Sequence, residues 1–171
     1  ETGFCSVDGN INNNNAGYTG DGFVNTSNAL GNGVNWEIDG SAGSYTFTWR
    51  YASSNSRAGD LMVDGATVAS NLVSTSSGSW STWITGSTTV SLGAGVKTVR
   101  LEATTASGLG NIDYMEVTGP DAAASDCTSG ARVGGQGSAN QEAASDKTVN
   151  LYPNPVKDIL TIQANKAEYG N

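Results

Sequence analysis

Residues Tyr45-Thr-Phe-Thr-Trp-Arg-Tyr51 alternate without a break: Tyr45, Phe47, Trp49 and Tyr51 fall on one side, Thr46, Thr48 and Arg50 on the other. A period of two is the mark of a strand with one buried face, because successive side chains leave a strand in opposite directions. Ser41-Ala-Gly-Ser44 just before it reads as a turn. Working outward, the same signals recur. Leu61-Met-Val63 and Ala66-Thr-Val68 flank Asp64-Gly65, a pair that accepts the positive φ angles of a two-residue hairpin turn. Segments 88–92 and 96–103 flank Gly93-Ala-Gly95 and read as a second hairpin, with Val99, Leu101 and Ala103 inward and Arg100 and Glu102 outward. Segment 111–117 closes the set. Strands at this spacing, with no convincing helix, predict an all-β fold: an antiparallel β-sandwich of the jelly-roll kind.

Composition agrees and narrows the function. The 171 residues include 23 glycines, and only 14% are charged, which suits many short strands joined by tight turns. A net charge of −8 argues against nucleic acid as a partner, since that contact depends on clustered Lys and Arg. No apolar run approaches the ~20 residues of a membrane helix, so no membrane insertion is expected. The chain has no histidine. That removes the usual general base and the Ser-His and Cys-His nucleophile pairs, leaving carboxylates, Tyr or Lys for any catalysis. Cys5 and Cys127 lie near the two ends of the presumed domain; a disulfide tying its first and last strands is feasible, and two free thiols are the alternative.

The chain divides into three by composition. Residues 1–119 hold the strand signals. Residues 120–147 are Ala, Ser, Gly, Asp and Gln with almost no large apolar side chain and read as a flexible linker. Residues 148–171 restore order signals in Leu-Tyr-Pro-Asn-Pro and an alternating run at 159–162, read as the opening of a second, partial β domain. Within the first part, Asn12-Asn-Asn-Asn15 followed by Ala-Gly-Tyr-Thr-Gly-Asp-Gly22 is too polar and glycine-rich for a core element and reads as a loop, of the kind that carries function on a rigid sheet.

Several side chains at strand ends suit a sugar. Sugars present apolar C–H faces and a rim of hydroxyls, so a site needs aromatic rings for the faces and amides or charges for the rim. Trp80 and Trp83 in Gly-Ser-Trp-Ser-Thr-Trp, Asn111 at the mouth of its strand, and Tyr51 at the far end of the alternating run are the candidates. Arg57, in a polar loop, suits a uronate carboxylate. Asn111 as a turn cap, Trp80 or Trp83 as core, and Arg57 as solvated surface are the structural alternatives.

In their order and spacing, six elements resemble carbohydrate-binding modules of family 35, or the related family 6. They are Gly17-Tyr-Thr-Gly-Asp-Gly-Phe-Val24, Ala42-Gly-Ser-Tyr-Thr-Phe-Thr-Trp-Arg-Tyr-Ala52, Val63-Asp-Gly65, Gly78-Ser-Trp-Ser-Thr-Trp83, Leu92-Gly-Ala-Gly-Val-Lys-Thr-Val-Arg-Leu101 and Asn111-Ile-Asp-Tyr114. The resemblance implies a β-jelly roll that binds a plant or algal cell-wall polysaccharide without catalysis, attached to a secreted enzyme. Asn111 then matches the sugar-binding Asn, Trp83 the stacking Trp, and Tyr18 a loop position that often carries a second ring. It also implies a structural Ca²⁺, with Glu1 and Asp113 at the ligand positions; Asp8 and Asp21 lie in loops and would serve a different site. A second resemblance joins Leu151-Tyr-Pro-Asn-Pro-Val-Lys-Asp-Ile-Leu-Thr-Ile162 to the start of the C-terminal sorting domain of type IX secretion in Bacteroidetes. It implies the type IX secretion machinery as a partner and a secreted or surface-attached protein. A monomer is expected. The rival readings are an adhesion or structural module of the same fold without sugar binding, and a carboxylate-based glycosidase or lyase.

Overall fold

In a computed structural model of the chain, which describes residues 3–127 and 146–151, twelve strands form two antiparallel sheets packed face to face. The first sheet runs β1 (Phe4–Val7), β4 (Gly33–Asp39), β9 (Lys97–Ala103), β6 (Gly59–Val63) and β7 (Ala66–Leu72), with β11 (Ala123–Ala124) also on the edge of β4. The second runs β2 (Gly9–Asn12), β3 (Phe23–Thr26), β10 (Asn111–Pro120), β5 (Gly43–Ala52) and β8 (Ile84–Leu92), with β12 (Asp146–Leu151) on β10. The antiparallel sandwich expected from the alternation is what forms.

Alternation decides what is inside. Tyr45, Phe47, Trp49 and Tyr51 of β5 are all at most 2% exposed and meet Val34, Trp36 and Ile38 of β4 and Val99, Leu101 and Ala103 of β9 across the sandwich. Burying such side chains contributes about 1.5–3 kcal/mol each, which is how a chain this rich in glycine offsets its ordering entropy. The β6–β7 hairpin turns on Asp64 and Gly65, at φ 51° and 80°, with Val63 paired to Ala66. Both central residues lie in the left-handed region, as a type I′ turn requires.

Three expectations are corrected. The segment around Gly93-Ala-Gly95 is not a hairpin: β8 pairs with β5 in one sheet, whereas β9 pairs with β4 and β6 in the other. Each strand carries its own inward set, and the connection carries the chain from sheet to sheet. The linker does not begin at residue 120, since β11 pairs with β4 and Cys127 is joined to Cys5 with the Cα atoms 5.3 Å apart. The boundary expected at 147/148 falls inside a strand. β12 pairs with β10 from Met115↔Leu151 to Pro120↔Asp146, and Leu151 is 1% exposed in the core. β3 takes the other half of that edge through Ile112↔Val24. Residues 128–145 and 152–171, including the alternating run at 159–162, lie outside the described residues.

Candidate functional site

The site is built at one end of the second sheet. In β10, Asn111 lies opposite Ala52 of β5, and Tyr51 lies opposite Ile84 of β8. Cross-strand partners share a face, so Asn111, Ala52 and Trp83, which immediately precedes β8, form a row on the face turned away from the core. Asn111 and Trp83 are thus two strand spacings apart, about 10 Å. The β10 backbone irregularity between Ile112 and Tyr114 falls just beside this row. A local bulge of this kind re-aims side chains next to binding sites.

Asn111 is 3% exposed, and its carboxamide has no hydrogen-bond partner among the described residues. Its polar atoms are nevertheless not sealed, because the fully enclosed, unpaired side-chain nitrogens are those of Trp36, Trp49 and Arg57. An amide so placed has lost most of its water without gaining a protein partner, an arrangement that costs stability unless something else binds there.

Arg57 holds the segment that leads into Asn111. Its Nη1 donates to Asn28 Oδ1 at 2.9 Å, to the Leu109 carbonyl at 3.2 Å and to the Ser107 carbonyl. The Leu109 carbonyl is two residues from Asn111. The guanidinium carbon lies 4.8 Å from the centroid of Trp80, within cation–π range. Burial pushes the Arg57 pKa down from its ordinary value. All three of these bonds come from Nη1, and the enclosed Nε has no hydrogen-bond partner among the described residues. The loop carrying Trp80 is tied down by serines: Ser77 Oγ accepts from Ser53 N at 2.9 Å, and Ser76 Oγ donates to the Ser53 carbonyl at 3.0 Å.

Trp83 is half-buried. Its Nε1 donates to the Ala16 carbonyl at 2.9 Å, its ring meets Phe23 edge-on at 5.5 Å, and the Arg50 guanidinium lies 5.4 Å from its centroid. Tyr18 packs on the other side of the same cluster, 5.7 Å from Phe23. Tyr18 and Trp83 therefore share one cluster through Phe23, while Arg57 and Trp80 form a second, held to the Leu109 carbonyl ahead of Asn111.

Tyr51 does not join them. It is 2% exposed on the inner face, where the alternation of β5 places it, and its hydroxyl donates to the Thr75 carbonyl at 3.1 Å. Burial is the main cause of its raised pKa. It braces the tryptophan loop from below. Asp113 is fully buried and already engaged: it accepts from Thr19 N at 2.9 Å, from the Thr19 hydroxyl at 3.1 Å and from Arg50. Glu1 lies outside the described residues. Calcium takes six to eight oxygens, main-chain and amide carbonyls among them, and no group of three or more acidic, His or Cys side chains that could hold a metal occurs among the described residues. Asp8 is held instead by Arg100 at 2.6 Å; that bond is the largest cause of its lowered pKa.

The sequence reading missed Arg50, Thr19 and Phe23. Alternation put Arg50 outside, but nothing local in the chain shows that its partners lie 33 and 63 residues away.

Comparison with known proteins bears on the family and the fold. The family model for carbohydrate binding module (family 6) matches residues 6–119. Endo-1,4-beta-xylanase B and alpha-L-arabinofuranosidase C, both from Cellvibrio japonicus (strain Ueda107), are each 45% identical over 133 residues, covering 75% of this chain and 22% of those proteins. The chain therefore spans about a fifth of the length of these relatives. The solved structure of Xyl-CBM35 in complex with a glucuronic acid containing disaccharide is 44% identical, with a TM-score of 0.71, covering 74% of this chain and 94% of that one.

Proposed function

We propose, because this chain belongs to the carbohydrate-binding modules of family 6 and the related family 35, that it recognises a uronic-acid-containing cell-wall polysaccharide through the end of the sheet that carries Asn111. It is a binding module, not a catalyst. One observation carries the choice of site: Asn111 is a buried polar residue at the start of the strand that follows Leu109, whose carbonyl Arg57 holds. A sugar would supply hydroxyls to the amide, a carboxylate to the guanidinium and a C–H face to an indole. The bound glucuronic acid of the related structure supports the charged sugar. A single small site of this kind gives an affinity on the order of 10–100 µM, about 5.5–7 kcal/mol.

The module would then hold a polysaccharide-degrading enzyme against its substrate and raise the local concentration of cleavable bonds. The relatives, a xylanase and an arabinofuranosidase, motivate that extension. The Cys5–Cys127 disulfide suits an extracellular setting. Passage through type IX secretion rests on the resemblance of residues 151–162 alone.

Titration calorimetry with a glucuronic-acid-substituted xylo-oligosaccharide and its neutral parent tests the reading. The charged ligand should bind and the neutral one should bind at least about tenfold more weakly, a difference of ~1.4 kcal/mol. Equal affinity removes Arg57 from the site, and binding to neither leaves a sandwich without this function. Repeating the titration in EDTA tests the cation: loss of binding that calcium restores places a metal there.

A further inference from the structure

Arg50 makes three contacts, and all three converge on the tryptophan side of the site. It projects from near the C-terminal end of β5 on the outer face. Its Nη1 is paired with the buried carboxylate of Asp113. Its Nη2 donates to the Gly17 carbonyl at 2.9 Å, and its guanidinium carbon lies over the Trp83 ring, 5.4 Å from the centroid. Asp113 in turn grips Thr19 by both its backbone N–H and its hydroxyl, the latter 3.1 Å from each carboxylate oxygen. The circuit closes through the loop itself, because the Ala16 carbonyl takes the one strong donor of Trp83, Nε1, at 2.9 Å. Loop and ring also fit closely at Gly17. A methyl group there would come within 3.0 Å of Trp83 Cδ1, and the residue has a φ of 95°.

These contacts make the loop at residues 13–22 and the indole one unit, fastened to the sheet by Arg50 of β5 and Asp113 of β10. The loop is polar and glycine-rich, with little apolar surface to hold it. Its position therefore depends on Asp113 and Arg50. A flat ring that must receive a sugar face costs less to use when it is already fixed, since immobilising a side chain on binding costs about 0.5–1.5 kcal/mol.

We propose that Arg50 is a positioning residue of the sugar site: it fixes the Trp83 ring and the Tyr18 loop in their binding geometry without touching the ligand. The inference rests on the proposed role of Trp83. It deepens that role by assigning the residue that sets it. A guanidinium is required because its fork meets a carboxylate and a carbonyl in different directions while its flat face covers an aromatic ring. A lysine ammonium keeps the charge opposite Asp113 but cannot hold the other two contacts together.

Arg50→Lys separates the two duties, with the glucuronic-acid-substituted xylo-oligosaccharide as probe. The variant should melt close to the parent, lose about 5- to 30-fold in affinity, and show a red-shifted, more acrylamide-quenchable indole emission. Thr19→Val, which removes only the hydroxyl contacts, should shift both readouts in the same direction by less. In a Trp83→Ala background, Arg50→Lys should cost little further affinity, because the ring it positions is gone. Unchanged emission and affinity in Arg50→Lys overturn the proposal. So does an undiminished loss in the Trp83→Ala background, which would mean that Arg50 contacts the sugar. The emission and quenching arms need no ligand, so they test the strut even if the parent binds no glycan.

Discussion

Asn111 shows how function can be read from an unfavourable residue. The residue is 3% exposed, and its carboxamide is not among the fully enclosed unpaired groups of the described residues. Replacing it with Ala breaks no internal hydrogen bond and removes a desolvated polar group. Asn111→Ala should therefore leave folding stability within about 1 kcal/mol of the parent, or raise it, while affinity for the charged oligosaccharide falls at least about tenfold. Urea denaturation paired with calorimetry separates the two effects. A large loss of stability would give the amide a structural duty and remove the reason for placing a ligand there. The sequence marks Asn111, Arg57 and the two tryptophans as sugar-site candidates by residue type, with a structural use open to each. The period of β5 already puts Tyr51 on the core side, opposite in phase to Ala52, and there it lies. Phase across a strand, not position along it, decides where a side chain points.

At the scale of elements, the strands that local pattern could specify were legible, and their partners were not. Asp64-Gly65 fixes its own hairpin because the two φ angles it permits leave the chain only one way back. Gly93-Ala-Gly95 specifies a change of direction but not which sheet the next strand joins, and that is decided by the inward sets of β8 and β9 together. β12 is the sharper case. Its sequence, Asp-Lys-Thr-Val-Asn-Leu, is a plain alternating strand, and the low-complexity residues before it suggested a separate domain. In the fold it completes the edge of β10 that β3 leaves uncovered. The Thr118 and Thr148 hydroxyls lie 2.8 Å apart across the pair, and Leu151 enters the core. Leu151→Ala should then destabilise this chain by about 2–5 kcal/mol, the usual cost of emptying a buried leucine site. Thermal melting measures it. A melting temperature unchanged by the substitution would show that the sandwich is complete without this strand.

Two properties belong to the molecule as a whole: its closure and its charge. The Cys5–Cys127 bond joins residues 122 apart, and by loop entropy such a closure can contribute up to about 5 kcal/mol, holding the ends of the described body together. The charge acts outside that body. With a net charge of −8 the protein repels a uronate-rich polymer at a distance, even as Arg57 offers one of its carboxylates a local partner. The two effects respond differently to salt. Exposed charges interact over ~30 Å at 0.01 M salt but only ~8 Å at 0.15 M, whereas a contact in a largely dehydrated site is screened much less. Raising salt from 0.01 to 0.15 M should therefore strengthen binding to a polyuronate, chiefly through faster association, because long-range repulsion is removed. A disaccharide carrying one carboxylate should change little over the same range. Surface plasmon resonance with both ligands measures the two slopes side by side. If the polymer's affinity fell with salt, an attractive basic surface would have to exist, and recognition by one local arginine on an acidic body would be the wrong account.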